Sequence, residues 1–482
     1  MESSPEKQNI EPTENVNSED DLELEGDSRE AVASLKIEIL EKVAEYARLR
    51  WQPQKFIPGK TPAPYAGRVF DELDVVSLVD ASLDFWLTSG RFSRQLEKDL
   101  ATYIGVKHCR LVNSGSSANL VAFSTLTSPR LGNRRIKRGD EVITVAAGFP
   151  TTVAPMVQFG AIPVFVDVDV VTDNIDVSML ELALSEKTKA VMIAHTLGNP
   201  FDIQAVIEFC NKNELWLIED NCDALGSEYS INRNGTIETK RTGSFGHLST
   251  SSFYPAHQMT TGEGGAVFTD DDELALIAES FRDWGRDCYC APGRSNTCGK
   301  RFEQCLGELP KGYDHKYTYS HFGYNLKMTD MQAAIGVTQL VKVPGFVDAR
   351  RRNFSYLTQK LSRFEEFLRL PKATKNSNPS WFGYLISIQP NSRSSISRDG
   401  IVDALESARI QTRMLFAGNL VRQPCFDLLR EEKSGYRQIG NLENTDSLMN
   451  NAFWFGVYPG MTTAHLDHIV ATIEKYLKSC GL

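Results

Sequence analysis

No apolar run in this chain reaches the roughly 18–20 residues that a bilayer-spanning helix needs. The first residues lack the basic start and apolar core of a secretory leader, so a cytoplasmic protein is expected. Positive charge is also short. The formal net charge is −10, and residues 1–30 hold eleven acids against two bases, leaving −1 for the remaining 452 residues. That balance excludes a general nucleic-acid-binding surface. There is no internal repeat, no dinucleotide-binding glycine fingerprint and no C-x-x-C pair. Nine cysteines in 482 residues do not make a disulfide framework. Lysine is missing from the whole stretch Arg241 to Gly299.

The length predicts two or three domains, and a hydrophobic fraction of 41% is ample for their cores. Residues 1–30 are acidic, Ser/Asn-rich and poor in aliphatic side chains. They cannot bury enough apolar area to offset chain entropy, and they read as a disordered tail. Residues 31–91 read as an N-terminal helical segment. Its first helix, Ala31–Trp51, repeats Leu35, Ile39, Val43 and Ala47 at helical steps, and a second helix is expected from Asp71 to Leu87. Residues 92–345 alternate short apolar strands with helix-length segments. The strands are expected at 110–113, 141–145, 163–167, 190–194 and 215–219. The fold class is therefore α/β, with a mainly parallel sheet covered by helices. After about Gly345 a charged helix, Val347–Phe367, leads into a smaller mixed α+β region, and residues 346–482 read as a second domain.

Ligands of such sheets sit at the carboxyl ends of the strands, and three blocks fall there. Asn113-Ser-Gly-Ser-Ser-Ala-Asn119 follows a strand and opens a helix. Its glycine and free amides suit a phosphate, although a plain strand-to-helix turn with a Ser cap fits equally. Asp220, in Ile218-Glu-Asp-Asn-Cys-Asp-Ala-Leu-Gly226, suits either a protonated pyridine nitrogen or a helix cap. Thr250-Ser-Ser-Phe-Tyr-Pro-Ala-His257 runs into the glycine-rich Gly262-Glu-Gly-Gly-Ala-Val-Phe-Thr-Asp270.

In this order and spacing the three blocks resemble the sugar-nucleotide branch of the pyridoxal-phosphate aminotransferases, the DegT/DnrJ/EryC family. The resemblance covers about residues 70–470 and implies aminotransferase fold type I. It implies a phosphate cradle at Gly115, Ser116 and Ser117, with Ser252 as a further phosphate ligand. Phe149 would stack on the cofactor ring, and Asp220 would pair with the pyridine nitrogen. Asn325 would reach the cofactor site of a neighbouring subunit in a homodimer.

In aminotransferases of this family a lysine precedes the glycine block and holds the cofactor covalently. Here that position is His257. Three readings follow: an inactive homologue, a transaminase with a lysine from elsewhere, or an enzyme that keeps pyridoxamine 5′-phosphate (PMP) non-covalently and dehydrates a keto-sugar. The third gives the imidazole a use, because histidine exchanges protons near neutral pH.

Cys288-Tyr-Cys290 is followed by seven residues and Cys298, and Cys222 lies beside Asp220. Four thiolates suit zinc or an iron–sulfur cluster, and the irregular spacing leaves no metal as a third reading. With His257, the pattern is similar to the family's PMP-dependent 3-dehydrases that carry a 2Fe–2S cluster. The stretches Phe56–Pro64, Asp80–Phe92 and Tyr313–His321 extend the likeness. The resemblance implies C-3 dehydration of a CDP-linked 4-keto-6-deoxyhexose on the route to 3,6-dideoxysugars. It implies Cys222, Cys288, Cys290 and Cys298 as cluster ligands, with Cys305 in reserve. It also implies a separate NADH-dependent flavin and iron–sulfur reductase as electron donor. Lys316, His321 and Arg413 could contact sugar or diphosphate, or serve in packing alone.

Overall fold

A computed structural model of the chain describes residues 26–233, 235–290, 292–389 and 395–481. The acidic tail expected at 1–30 therefore lies outside the described residues up to 25. Residues 26–30 belong instead to the first helix, α1 (Gly26–Arg50). Helix α2 (Glu72–Asp84) starts at a capping box made by Asp71 and Asp74. Helix α3 is Arg91–Ile104 and buries Phe92, Leu96 and Leu100 along one face.

Then the alternation begins: β1 (His108–Val112), α4 (Gly115–Thr125), β2 (Glu141–Val145), α5 (Pro150–Phe159), β3 (Ile162–Val166), α6 (Leu180–Ala183), β4 (Thr188–Ala194), α7 (Ile203–Lys212) and β5 (Trp216–Asp220). A hairpin, β6 (Glu228–Arg233) and β7 (Thr236–Arg241), follows, then β8 (Leu248–Ser252), β9 (Gly265–Thr269) and α8 (Asp272–Arg282). Eight strands form one sheet in the order β1-β9-β8-β5-β4-β2-β3-β14, where β14 is Arg437–Gln438. Only β9 runs against the rest, since it is antiparallel to both β1 and β8. Strands β2, β5, β8 and β9 are buried along their whole length, as strands covered on both faces must be. This is the expected α/β class, and each of the five expected strands is present to within two residues at either end.

Helix α9 (Asp330–Leu361) departs from the expectation of a helix at 347–367. It starts at a Thr329/Gln332 capping box and carries Pro344 inside it, so residue 345 lies mid-helix. Pro344 and Gly345 read as a break because proline removes one backbone bond and clashes with the preceding turn. Packing outweighs that cost: Val343, Val347, Phe354 and Leu357 are all buried. Beyond α9 a four-stranded sheet forms from β10 (Leu368–Arg369), β12 (Gly383–Ile388), β13 (Thr412–Arg413) and β15 (Ala452–Gly456). The two-residue β11 (Ser377–Asn378) joins the β6–β7 hairpin instead. Helices α10 (Arg398–Ser407) and α13 (Thr463–Ser479) cover the small sheet around a second core that includes Leu357, Tyr384, Phe453 and Ile469. The short helices α11 (Asp427–Glu432) and α12 (Glu443–Asn451) lie between them in sequence. Among the described residues, no helix is long and apolar enough to cross a membrane.

Candidate active site

Sheet register assembles the site. Gly265 of β9 pairs with Val112 of β1 on one side and Ser252 of β8 on the other. The turn that leaves β1 therefore lies directly beside the end of β8. A side chain at Gly265 would meet Gly115 N at 2.8 Å, and one at Gly115 would meet Ser252 Oγ at 2.8 Å and Cys222 Sγ at 3.0 Å. Both glycines are required by close approach of backbone to neighbour. Gly115, Ser116 and Ser117 form the first turn of α4, whose leading amides have no acceptor within the helix. Ser114 caps it by accepting from Ser117 N at 3.0 Å, and Ser117 Oγ donates to Asn113 Oδ1 at 2.7 Å. Free amides at a helix N-terminus, beside the buried Ser252 hydroxyl, fit a phosphate.

Asp220, 4% exposed at the end of β5, is held rigidly. Its Oδ2 accepts from Asn119 Nδ2 at 2.8 Å and Thr152 Oγ1 at 2.7 Å, and its Oδ1 accepts from Cys222 N at 3.2 Å. Asn119 is in turn fixed by Thr250 Oγ1 at 2.8 Å. Among the described residues no cation is paired with this carboxylate, which fits a protonated ring nitrogen. Phe149 caps α5 after β2 and stays half exposed, with its edge toward Phe416 at 6.2 Å. An exposed aromatic face at the strand ends fits a flat ring. The residues present thus fit PMP.

His257 stands in the loop between β8 and β9. Its Nδ1 is 3.3 Å from Asp223 Oδ1, and its ring stacks on Phe382 with centroids 5.1 Å apart. Both side chains are more than four-fifths buried. Burial raises the Asp223 carboxyl above its ordinary range, and the His257 contact pulls it back. Arg350, 1% exposed on α9, donates to the carbonyls of His257 at 3.2 Å and Trp381 at 3.0 Å. Desolvation lowers this guanidinium to about 10. Gln258 Nε2 bonds the carbonyls of Asp223 and Ser380. The loop is therefore fastened to both sheets.

The cysteines divide into two groups. Cys288, Cys290 and Cys298 lie in the loop after α8, with backbone amides aimed at their sulfurs. Cys290 N points to Cys288 Sγ at 3.5 Å, Thr297 N to Cys290 Sγ at 3.4 Å and Lys300 N to Cys298 Sγ at 3.4 Å. Burial would raise the Cys290 thiol, but hydrogen bonds from Thr297 and Cys288 outweigh it and hold the thiol below its ordinary value. Cys222 faces the cofactor pocket instead, 4.0 Å from Thr250 Oγ1. Burial first, then the charge of Asp220, pushes its thiol well up. Cys305 is exposed and turned toward Leu309 O. Among the described residues, no group of three or more His, Cys, Asp or Glu side chains is arranged to hold a metal ion. The expected set of Cys222, Cys288, Cys290 and Cys298 is thus not gathered into a metal site in this structure.

The structure brings Gly115, Ser116, Ser117, Asp220 and Ser252 together at the ends of β1, β5 and β8. Phe149 stands at the end of β2, and His257 five residues beyond Ser252. Asn325 is not brought to them: it is exposed and accepts from Lys327 Nζ at 3.1 Å. His321 is buried between Ser128 and Ser280, a packing role. Arg413 lies over the Tyr65 ring, and Lys316 bonds Arg294 O and Ser295 Oγ. Sequence reasoning missed Asn119 and Asp223, although each lies inside a quoted block, and Thr152, three residues beyond Phe149. Phe382 and Arg350 carried no local signal at all.

Comparison with known proteins agrees with this architecture. Residues 71–474 match the model of the DegT/DnrJ/EryC1/StrS aminotransferase family. The lipopolysaccharide biosynthesis protein RfbH of Salmonella typhimurium is 55% identical over 92% of this chain and 98% of its own length. A dTDP-4-dehydro-2,6-dideoxy-D-glucose 3-dehydratase of Saccharopolyspora spinosa is 49% identical over 93% of each chain. Among solved structures, E. coli GDP-4-keto-6-deoxy-D-mannose-3-dehydratase with bound hydrated PLP (pyridoxal phosphate) superposes with a TM-score of 0.74. It is 28% identical, with 85% of this chain and 99% of that one covered. With the type I sheet order, the strand-end pocket and a family match over most of its length, the chain belongs to the DegT/DnrJ/EryC1/StrS aminotransferase family.

Proposed function

We propose that this chain is a PMP-dependent sugar-nucleotide 3-dehydratase that removes the C-3 hydroxyl of a CDP-linked 4-keto-6-deoxyhexose in the cytoplasm. The observation that carries the reading is His257: an imidazole paired with Asp223 stands where the family's covalent lysine would be, in an otherwise complete pocket. When bound, the cofactor supplies an amine that condenses with the keto group and a ring that accepts electrons. The first turn of α4 and Ser252 hold its phosphate. Asp220 holds a proton on its ring nitrogen, and Phe149 covers its face. With Nδ1 turned to Asp223, His257 Nε2 is the atom left to take and return a proton. The dehydratase names of the relatives support this chemistry. Those relatives are named for dTDP and GDP sugars, so CDP rests on the family resemblance alone.

We further propose that the three loop thiols and Cys222 carry a 2Fe–2S cluster fed by a separate NADH-dependent flavin and iron–sulfur reductase, and that the enzyme is a homodimer. The amide-to-sulfur contacts support the cluster. The fully exposed Phe322 and the neighbouring Asn325 support a second subunit across that segment. A second reading, a dehydratase without a cluster, is favoured by the position of Cys222 in the cofactor pocket. An anaerobic visible spectrum with iron and acid-labile sulfide assays separates the two. Two irons per chain, lost in Cys298→Ser and in Cys222→Ser, support the four-thiolate cluster. A colourless, iron-free protein that binds PMP and dehydrates the CDP sugar supports the second reading. No PMP binding at all overturns both.

A further inference from the structure

Strand β13 is the outer strand of the small sheet, whose order is β10-β12-β15-β13. It sets Arg413 opposite Trp454 of the antiparallel β15, and residues directly opposite each other put their side chains on one face. The neighbours of Trp454 on its own strand, Phe453 and Phe455, point the other way into the small core. Trp454 packs instead with Phe382, Val145 and Ile193 of the large core. The face that Arg413 and Trp454 share is therefore the one turned to the large sheet.

Ring contacts show where that face leads. Tyr65 meets the Trp454 indole edge-on at 5.4 Å, Trp454 meets Phe382 at 5.3 Å, and Phe382 stacks on His257 at 5.1 Å. Three residues beyond Arg413, Phe416 takes a φ of 44°, a left-handed conformation costly for an aromatic residue. Its ring lies 6.2 Å from Phe149. Arg413 thus stands on the segment that links the His257 end of the pocket to the Phe149 end. The side chain is exposed, with its guanidinium carbon 3.9 Å from the centre of the Tyr65 ring. Its Nη1 donates to Thr412 O at 2.7 Å, and among the described residues no carboxylate pairs with it. Glu406 is taken instead by Thr412 N and Oγ1 at 2.6 and 2.8 Å. A guanidinium laid over a ring keeps its other N–H groups for a partner beyond that ring.

We propose that Arg413, steadied on Tyr65, is the subsite for the diphosphate of the nucleotide-linked sugar. The proposal rests on the sugar-nucleotide reading given above and adds to it the residue that grips the charged part of the substrate. The diphosphate offers paired oxygens to the planar fork, and the cation–ring contact holds the fork in place before the anion arrives. The sugar then reaches inward to His257 and the Phe149 ring, and the base lies outward. Because the contact is to phosphate, it serves the subsite whichever base the substrate carries.

The test is isothermal titration of the full-length protein, incubated with PMP, with CDP, dTDP and GDP in turn. Wild type is compared with Arg413→Gln and with Arg413→Lys, which keeps the charge and an aliphatic stem over Tyr65. PMP affinity is read in each by absorbance titration. The expected result is a diphosphate affinity at least tenfold weaker in Arg413→Gln, the size of one lost charge-assisted contact, with the lysine variant between the two and PMP affinity unchanged. Equal diphosphate affinity in wild type and Arg413→Gln overturns the subsite alone and leaves Arg413 a packing residue. So does a lysine variant as weak as the glutamine one, which makes the ring contact decisive and not the charge. A variant whose PMP affinity falls as far as its diphosphate affinity also overturns it, because the residue then only supports the pocket's shape. A wild type that takes up PMP but none of the three diphosphates overturns the sugar-nucleotide reading and the subsite together.

Discussion

His257 and Asp223 face each other across 3.3 Å, one from the loop after β8 and the other from the turn after β5. In the proposed reaction a carboxylate this near would favour the proton on Nδ1 and leave Nε2 as the base, although the pair is not aligned as a hydrogen bond here. Asp223→Asn removes that control while keeping the shape. Turnover is expected to fall roughly 100-fold, the size of a general acid–base contribution. PMP affinity, read by absorbance titration, is expected to stay within about twofold, because Asp223 is not among the proposed cofactor contacts. His257→Lys is expected to restore a covalent link to pyridoxal phosphate, detected as a borohydride-trapped mass increase, with loss of dehydration.

Gly115 leaves no room for a methyl group. Gly115→Ala would press Cβ on Ser252 and Cys222 and push the first turn of α4 away from the phosphate position. PMP affinity is expected to fall by roughly tenfold or more, the equivalent of one lost charge-assisted contact. Circular dichroism is expected to be unchanged.

Arg350 ties the active-site loop to α9. Arg350→Met would leave the carbonyls of His257, Trp381 and Phe382 without their donor. The variant is expected to lose about 2–4 kcal/mol in urea unfolding, as buried acceptors left unpaired do. Turnover is expected to fall with it, because the position of His257 is set partly through its own carbonyl.

His247 makes stability depend on pH. Its Nδ1 accepts from Leu217 N at 3.0 Å, and burial, followed by the nearby Arg134, pushes its folded value down to about 4 from an ordinary 6.5. The neutral ring is favoured in the folded state. Its contribution is full above pH 6.5 and is lost as pH falls toward 4, where the folded protein also takes up the proton. The shift corresponds to about 3 kcal/mol over that window. Urea midpoints at pH 7 and pH 4.5 are expected to differ more in wild type than in His247→Gln.

Much of the large sheet was legible because buried parallel strands are short, mostly apolar runs, and Glu141–Val145 is buried from end to end. The candidate pocket was legible where small or polar residues stand at strand ends, as Gly115, Asp220 and Ser252 do, and where His257 precedes a glycine-rich block. Helix α9 was not, because Pro344 and Gly345 carry a local stop signal that burial of Val343 and Val347 overrides. Arg350 and Phe382 lie 93 and 125 residues from His257, so only the folded chain brings them to it. Asp223 sat in plain view, but its role depends on a contact that no spacing rule predicts. The cysteine spacing identified the loop thiols, while the facing of Cys222 depends on how β5 ends.

The unbroken course of α9 has a mechanical consequence. At 1.5 Å per residue its 32 residues make a rod of about 48 Å that packs into both the large and the small core. Arg350 is mounted on that rod and grips the carbonyl of His257. A change of angle between the two cores would therefore reach the carbonyl of His257 through one continuous helix.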